Sequence, residues 1–233
     1  MRILGLSFGF HDAGACMLDF KNIEFASHSE RYSKVKNDPW INHDLIDAAI
    51  EKGKPDVIVL HEKAWAKRIR NLLNSNFRAL REPTQRQWIK KFYPQLQDIP
   101  IKDYWHHETH AAAGVLSSNF NECAVMVIDA IGEFNTATIW KWKDGNLKKL
   151  HSVNFPSSLG LFYSAVTSHV GLKPMEDEYI LMGMAAYGEP KYKEDIYNDF
   201  VVQNSFKLKK NLHKGLGDWH PEADVMDLAA SIQ

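Results

Sequence analysis

The sequence predicts an α/β fold built on a duplicated strand meander, and three observations carry that prediction. Short apolar runs of strand character alternate with segments whose apolar residues recur at helical spacing. The layout strand, small polar turn, strand, hairpin, strand occurs twice, first from Ile3 to Ser27 and again from Ala124 to Val153. The 233 residues, 45% hydrophobic and 24% charged, have the balance of an ordinary globular chain, enough for one large domain or two modest ones.

In the first copy, Ile3 to Leu6 is a short apolar strand running into the turn SFGFHDAG, with His11 and Asp12 at its centre, and Ala15 to Phe20 follows at once. Gly9 and Gly14 permit turn geometry closed to other residues and let a ligand approach the backbone. After a turn at Lys21 and Asn22, Ile23 to Ser27 completes the meander. The charged stretch SERYSKVKND, Ser29 to Asp38, lies near the sheet's end and reads as a solvated loop or as one that serves a site. Asn42, His43 and Asp44 precede Leu45 to Ile50, apolar at helical spacing, with Gly53 as the stop. Asp56 to Leu60 is a buried strand, so the order becomes βββαβ.

Lys63 to Lys91 reads as basic and helical, with Trp65, Leu72, Leu73, Phe77, Leu80 and Trp88 among Lys67, Arg68, Arg70, Arg78, Arg81, Arg86, Lys90 and Lys91. Aromatic and basic residues interleaved in this way can serve nucleic acid. The near-neutral chain and the lack of a nucleic-acid motif favour a cationic surface suited to an anionic substrate. Ile99 to Ile101 is then a short strand leading into HHETHAAA, residues 106–113.

The alanines of that stretch favour helix. A helix places His106 and His110 on one face, where two imidazoles can grip one metal ion. The same spacing also suits a polar helix face, and the residues alone leave both readings open. His107 points away from that pair, as a supporting group or a substrate contact. Further ligands would come from carboxylates at strand ends, and the nearest apolar run downstream stops at Asp129.

The second copy comprises Ala124 to Ile128, the turn DAIGEFN, Thr136 to Trp142, a turn at Asp144 to Asn146, and Leu147 to Val153. A three-stranded meander followed by helices and a further strand, present twice, is the signature of the ribonuclease-H-like, actin-like ATPase fold of actin, sugar kinases and Hsp70 chaperones. By that analogy residues 1–118 form a first lobe and residues 119–233 an incomplete second one, and the two strand-turn-strand loops embrace nucleotide phosphates and their metal. Gly9, Gly132 and Glu133 lie on those loops.

Ser157 and Ser158 offer a hydroxyl cap to a helix over Leu159 to Val170, stopped by Gly171. Glu176, Asp177 and Glu178 read as loop acids before a short apolar helix at Met182 to Tyr187, whose flanking glycines suggest a shaped binding loop. Tyr197 to Leu208 predicts a helix and then a strand. Asp224 to Gln233 starts a helix with no stop signal and no following element, the pattern expected of a piece of a longer protein.

A net charge of −1 and a pI near 6.8 argue against nucleic acid or an anionic membrane as partner. No apolar run approaches the roughly 20 residues of a bilayer span, and MRILGLSFGF lacks a signal peptide's apolar region and cleavage site, so a cytoplasmic location is expected. Cys16 and Cys123, each inside a strand-like run, read as buried reduced thiols and not as a disulfide or metal pair.

The stretches ILGLSFGFHDAGACML, SERYSKVKND, HHETHAAAG, VIDAIGEFNTATIW, FPSSLGLFYSAVTSHVGLKP, EYILMGMAAYGEPKY and DLAASIQ occur in this order over almost the whole chain. Together they resemble the O-carbamoyltransferase family of nodulation and antibiotic-tailoring enzymes. Members are about twice as long, and one of their domains makes carbamoyl-adenylate from carbamoyl phosphate and ATP. The resemblance implies that the present stretch belongs to the transfer domain, which passes the carbamoyl group to a hydroxyl of a sugar-like acceptor beside a divalent metal, in the family iron. By motif position the metal ligands would be His106, His110 and Asp129, with a further carboxylate beyond residue 233. His11 would act near the carbamoyl carbonyl, accepting the acceptor's proton, with Asp12 orienting it. Arg31 and Lys36 would stabilise charge on carbonyl or phosphate.

Two positions depart from the family's pattern. Ile180 stands where a lysine commonly follows Glu-Tyr, which removes a charged contact, and Ala130 stands where glycine is usual, which narrows the approach to the loop after Asp129. An actin-like sugar kinase lobe, or a non-catalytic metal- or nucleotide-binding module completed by a partner chain, are the competing readings. An unfinished second lobe would leave a sheet face uncovered, which is a route to a homodimer.

Overall fold

The computed structural model describes residues 1–233 except Lys21, Asn74, Ser75, Arg78 and Ala79. Backbone contacts divide the chain into two compact units, Met1–Thr109 and His110–Gln233. It is a mixed α/β structure, with one sheet in each unit.

The first unit holds β1 (Arg2–Ser7), β2 (Gly14–Asp19), β3 (Asn22–His28), β4 (Val57–Leu60) and β5 (Ile101–Asp103) in the sheet order β3-β2-β1-β4-β5. The first three strands are joined antiparallel, whereas β4 runs parallel to β1 and β5 parallel to β4. Side chains alternate across a strand, and the register puts Leu4 beside Met17 and Ile58, and Leu6 beside Ala15 and Leu60. These residues form two buried rows across the sheet. Each large aliphatic side chain so buried contributes about 1.5–3 kcal/mol. Helix α1 (Glu30–Ser33) is a single turn, and α2 (His43–Ile50) lays Leu45, Ile46 and Ala49 on this core. Asn42 caps α2, its side chain accepting from the Leu45 amide at 2.9 Å. α3 (Ala64–Leu73) and α4 (Gln85–Phe92) precede β5.

Helix α5 (His106–Leu116) begins in the first unit and continues into the second. The second unit's sheet is an antiparallel meander, β6 (Glu122–Ile128), β7 (Asn135–Lys143) and β8 (Asn146–Asn154). Asp144 and Gly145 both have positive φ, 51° and 75°, as a two-residue hairpin of type I′ requires. Ala111 of α5 packs with Val127 and Trp140 of this sheet. A separate core gathers Phe162 and Val166 of α6 (Leu159–His169), Leu181 of α7 (Glu178–Met184), Phe200 of α8 (Lys193–Phe200) and Ala229 of α9 (Val225–Ile232). The segment from Gly188 to Tyr192 is clasped to α9. Asp227 accepts from the Glu189 amide at 2.8 Å and the Lys191 ammonium at 2.6 Å, and Ser231 accepts from the Tyr192 amide at 2.9 Å.

Several local expectations are corrected. Within the charged stretch 29–38, residues 30–33 close one helical turn, ended by Lys34 at φ 61°. The basic region is two helices, Ala64–Leu73 and Gln85–Phe92, and Thr84, just after Pro83, starts the second with a capping box to Gln87. Lys21 and Arg78 lie outside the described residues. The strand expected at Ile99 to Ile101 runs from Ile101 to Asp103 instead, since the Ile99 amide closes a turn onto the Leu96 carbonyl and Pro100 has no N–H to give. After α8 the expected strand reduces to one bridge between Val201 and Leu208.

Of the acids before α7, Glu176 is exposed beside Lys173, and the other two serve the backbone and a neighbouring helix. Asp177 accepts from the Lys173 amide, and Glu178, the first residue of α7, accepts from Ser164 and the Met175 amide. Both cysteines are free and partly buried, not fully so, and burial raises the Cys16 thiol pKa. Among the described residues no helix is long and apolar enough to cross a membrane.

Candidate metal centre

Helix periodicity does the first part of the work. Residues four apart lie on one helix face, and α5 starts at His106, so His106 and His110 point the same way. Asp129 immediately follows β6, at the strand end nearest to the start of β7. Its amide bonds the Thr136 carbonyl at 2.9 Å, and its Oδ1 accepts from the next amide, Ala130, at 2.6 Å. That leaves Oδ2 directed at His110 Nε2, 3.8 Å away. His106, His110 and Asp129 each offer a ligand atom within 4.8 Å of the others.

This donor set suits a divalent transition metal. Two imidazoles and one carboxylate on one side of an ion, with open positions opposite, is the arrangement of non-haem iron(II) sites. Three donors bound at about 2.1 Å on one side of an ion stand about 3.0–3.4 Å apart, so side chains whose ligand atoms lie within 4.8 Å of one another close by up to about 1.8 Å on binding.

The loop carrying Asp129 is held from behind by the start of α6. Ser158, the N-cap, accepts from the Leu161 amide at 3.0 Å and donates to the Ala130 carbonyl at 2.6 Å. Gly160 lies so close that a Cβ there would stand 2.6 Å from the Ala130 nitrogen. Sequence reasoning found the cap but not the second duty of either residue. Gly132 closes the same loop with its amide on the Asn135 carbonyl at 2.8 Å, and Glu133 is buried.

The turn after β1 is pinned to the segment before α2. The Gly9 amide bonds the Pro39 carbonyl and the Ala13 amide bonds the Asp38 carbonyl, both at 2.7 Å, and Gly9 has φ 91°. Buried Ser29 donates to the Trp40 carbonyl at 2.6 Å. His11 is half exposed, its Nδ1 2.9 Å from Asp12 Oδ2. A carboxylate only accepts, so the proton of the neutral ring sits on Nδ1 and Nε2 carries a lone pair. Arg31 is largely exposed, 3.9 Å from Glu30, and Lys36 is on the surface. Both belong to the Ser29 to Asp38 stretch, whose Asp38 carbonyl braces the turn of His11.

The basic region is less cationic than its sequence. Lys67 pairs with Glu62 at 2.8 Å, and Arg86 binds Asp103 at 3.1 Å and the Ile101 carbonyl at 3.0 Å. Glu62, Arg86 and Asp103 line a cavity of 260 Å³ together with Trp65, Arg68 and Gln85, where the acidic and basic side chains are equal in number.

One residue the sequence reading passed over stands beside α5. His61 follows the last residue of β4, with its ring 5.3 Å from that of His106 and inclined at 60°. Burial, assisted by the neighbouring His106 and Lys67, pushes its imidazole down to about 4 against the pull of Glu62. A signal was present in the sequence: the carboxyl end of a buried parallel strand is where open α/β sheets meet ligands.

A family model for the carbamoyltransferase N-terminus matches residues 2–224. The chain belongs to the carbamoyltransferase family. An uncharacterized protein of Synechocystis sp. is 34% identical over 89% of this chain and 37% of its own length. Nodulation protein NolO of Bradyrhizobium diazoefficiens is 34% identical over 41% of the chain and 17% of itself, and nodulation protein NolNO of Sinorhizobium fredii 32% over 48% and 16%. This carbamoyltransferase-family chain spans less than half the length of the curated relatives it matches.

Proposed function

We propose that this chain is the acceptor-transfer part of an O-carbamoyltransferase, moving a carbamoyl group from carbamoyl-adenylate, made from carbamoyl phosphate and ATP, to a hydroxyl of a sugar-like or natural-product acceptor. The observation that carries the reading is the convergence of His106, His110 and Asp129 within a chain of the carbamoyltransferase family. The sheet order β3-β2-β1-β4-β5, with β2 antiparallel to β1, supports an actin-like lobe, and the β6-β7-β8 meander supports a second.

In this reading the acceptor oxygen attacks the carbamoyl carbon, AMP leaves, and the hydroxyl proton passes to Nε2 of His11. Asp12 holds the proton of the neutral ring on Nδ1 and so leaves the Nε2 lone pair to accept the hydroxyl proton. Arg31 and Lys36 offer positive charge for the carbonyl or phosphate oxygens as negative charge builds there, and Gly9, Gly132 and Glu133 line the loops that would meet the nucleotide. A divalent metal, iron by family resemblance, would be held by His106, His110 and Asp129; when bound it neutralises and polarises phosphate or carbonyl oxygens.

The test uses the natural gene product with carbamoyl phosphate, ATP and a panel of hydroxylated acceptors, read by mass spectrometry together with metal content. His106→Ala with His110→Ala should remove the metal and the carbamoylated product. His11→Asn should keep the metal and slow transfer, while carbamoyl phosphate is still consumed. Unchanged metal content in the double variant sinks the metal assignment, and equal loss of both steps in His11→Asn removes that residue from the transfer step.

A further inference from the structure

His61 lies in the first unit with its ring enclosed between β1 and the start of α5. The Leu6 backbone bonds this ring, and Nδ1 is buried without a hydrogen-bond partner among the described residues. A carbonyl oxygen only accepts, so the ring nitrogen bonded to Leu6 is Nε2 and it carries the proton. Nδ1 of the neutral ring is then a bare acceptor. Buried acceptors seldom go unused, and the ring next to this one is His106, edge-on, with centroids 5.3 Å apart.

Imidazoles that bind a metal through one nitrogen almost always donate the N–H of the other to an acceptor, which fixes tautomer and ring orientation. We propose that His61 is a positioning residue for His106: its Nδ1 accepts the N–H of whichever His106 nitrogen does not bind metal. The proposal rests on the metal reading above. The Leu6 carbonyl, by fixing the His61 tautomer, presents a lone pair and not a proton to the ligand. The relay therefore runs from β1 through His61 to α5, all within residues 1–109.

The experiment is a Co²⁺ titration of the chelator-stripped natural protein, following the visible absorption of the bound ion. His61→Phe keeps a ring and removes the acceptor, whereas His61→Asn places an amide oxygen close to where Nδ1 stood. Affinity should fall about 10- to 100-fold in His61→Phe and recover most of that loss in His61→Asn. Wild-type affinity in His61→Phe, or equal weakening in both variants, overturns the proposal in favour of packing. If His110→Ala binds Co²⁺ as wild type does, the metal reading itself has failed, a result separable from the first. Should His61→Phe not fold, nitrogen-correlated NMR of wild type decides: the proton of His61 is expected on Nε2, with a slowly exchanging His106 N–H appearing on addition of Zn²⁺. A proton on His61 Nδ1 overturns the proposal.

Discussion

Gly160→Ala joins the architecture of α6 to the geometry of the candidate ligand Asp129. The added Cβ would stand 2.6 Å from the Ala130 nitrogen, 2.7 Å from its Cα and 2.8 Å from the Asp129 carbonyl carbon. All three are backbone atoms, so no side chain can swing aside. Ordinary contact begins at 3.4 Å, and either the helix or the loop must therefore move by about 0.8 Å. Overpacking of this kind costs about 1–3 kcal/mol. Alanine returns about 1 kcal/mol through helix propensity. The net loss of roughly 0–2 kcal/mol lowers Tm by no more than about 8 °C in a chain of this size.

The effect on the site is expected to be larger than the effect on stability. Asp129 is tied to the moving backbone through its own Oδ1 bond to the Ala130 amide, so its Oδ2 shifts with the loop. Loss of a supporting contact of this kind costs about 10- to 100-fold in metal affinity. The assay pairs thermal unfolding with the Co²⁺ titration. Gly160→Ala with wild-type Co²⁺ affinity refutes the link between α6 and the site, whatever its Tm.

Two further predictions concern pH. Asp227 is held below the usual aspartate pKa, first by the Glu189 amide and then by the Lys191 ammonium. Its contribution is therefore present above the ordinary value near 3.8 and is lost as pH falls further. Asp227→Asn should lower stability at neutral pH and flatten the acid limb of urea unfolding; an acid limb as steep as wild type counts against it. Buried Tyr93 donates to the Ile41 carbonyl at 2.6 Å, and burial, with Asp38 and Asp47 adding, pushes its phenol up to about 12. The folded state favours the neutral phenol, so that stability is full below the ordinary value of 10 and is lost as pH rises towards about 12. Tyr93→Phe should cost about 1 kcal/mol at neutral pH and remove that alkaline loss, read by melts from pH 9 to 12 (roughly the window spanning both values); an undiminished loss in Tyr93→Phe points to other groups.

The two meanders were legible because their signals are local. Alternation in β1, β2 and β4, the Asp144-Gly145 turn and the Ser158 cap each depend on neighbours a few residues away. β5 was misplaced because Ile99 and Ile101 look alike in sequence, and only the Pro100 carbonyl accepting from Ile58 reveals which of them enters the sheet. Tertiary relations explain what was not legible in the site. His106 and His110 share a helix face by periodicity alone, but His61 reaches His106 because Leu60 pairs with Asp103. That register carries the residues after β4 alongside those after β5. No spacing in the sequence encodes it, since 45 positions separate the two histidines in the chain. Gly160 likewise reads as an ordinary helix residue until Ala130 is seen against it.

On the metal reading proposed above, these placements hold the donors near one another before an ion binds. The imidazoles of α5 are set by a helix whose Ala111 is anchored beside Val127 and Trp140. The carboxylate of Asp129 is oriented by the Ala130 amide, and that loop is fixed by Ser158 and closed against Gly160. Each restraint removes rotamer freedom that binding would otherwise have to remove, and donors already in place bind more tightly than donors gathered from a mobile surface. At Ala130 the loop uses only the backbone. The position contributes its amide and its carbonyl, both present in alanine, and the close approach of α6 is absorbed by Gly160 on the other side of the contact.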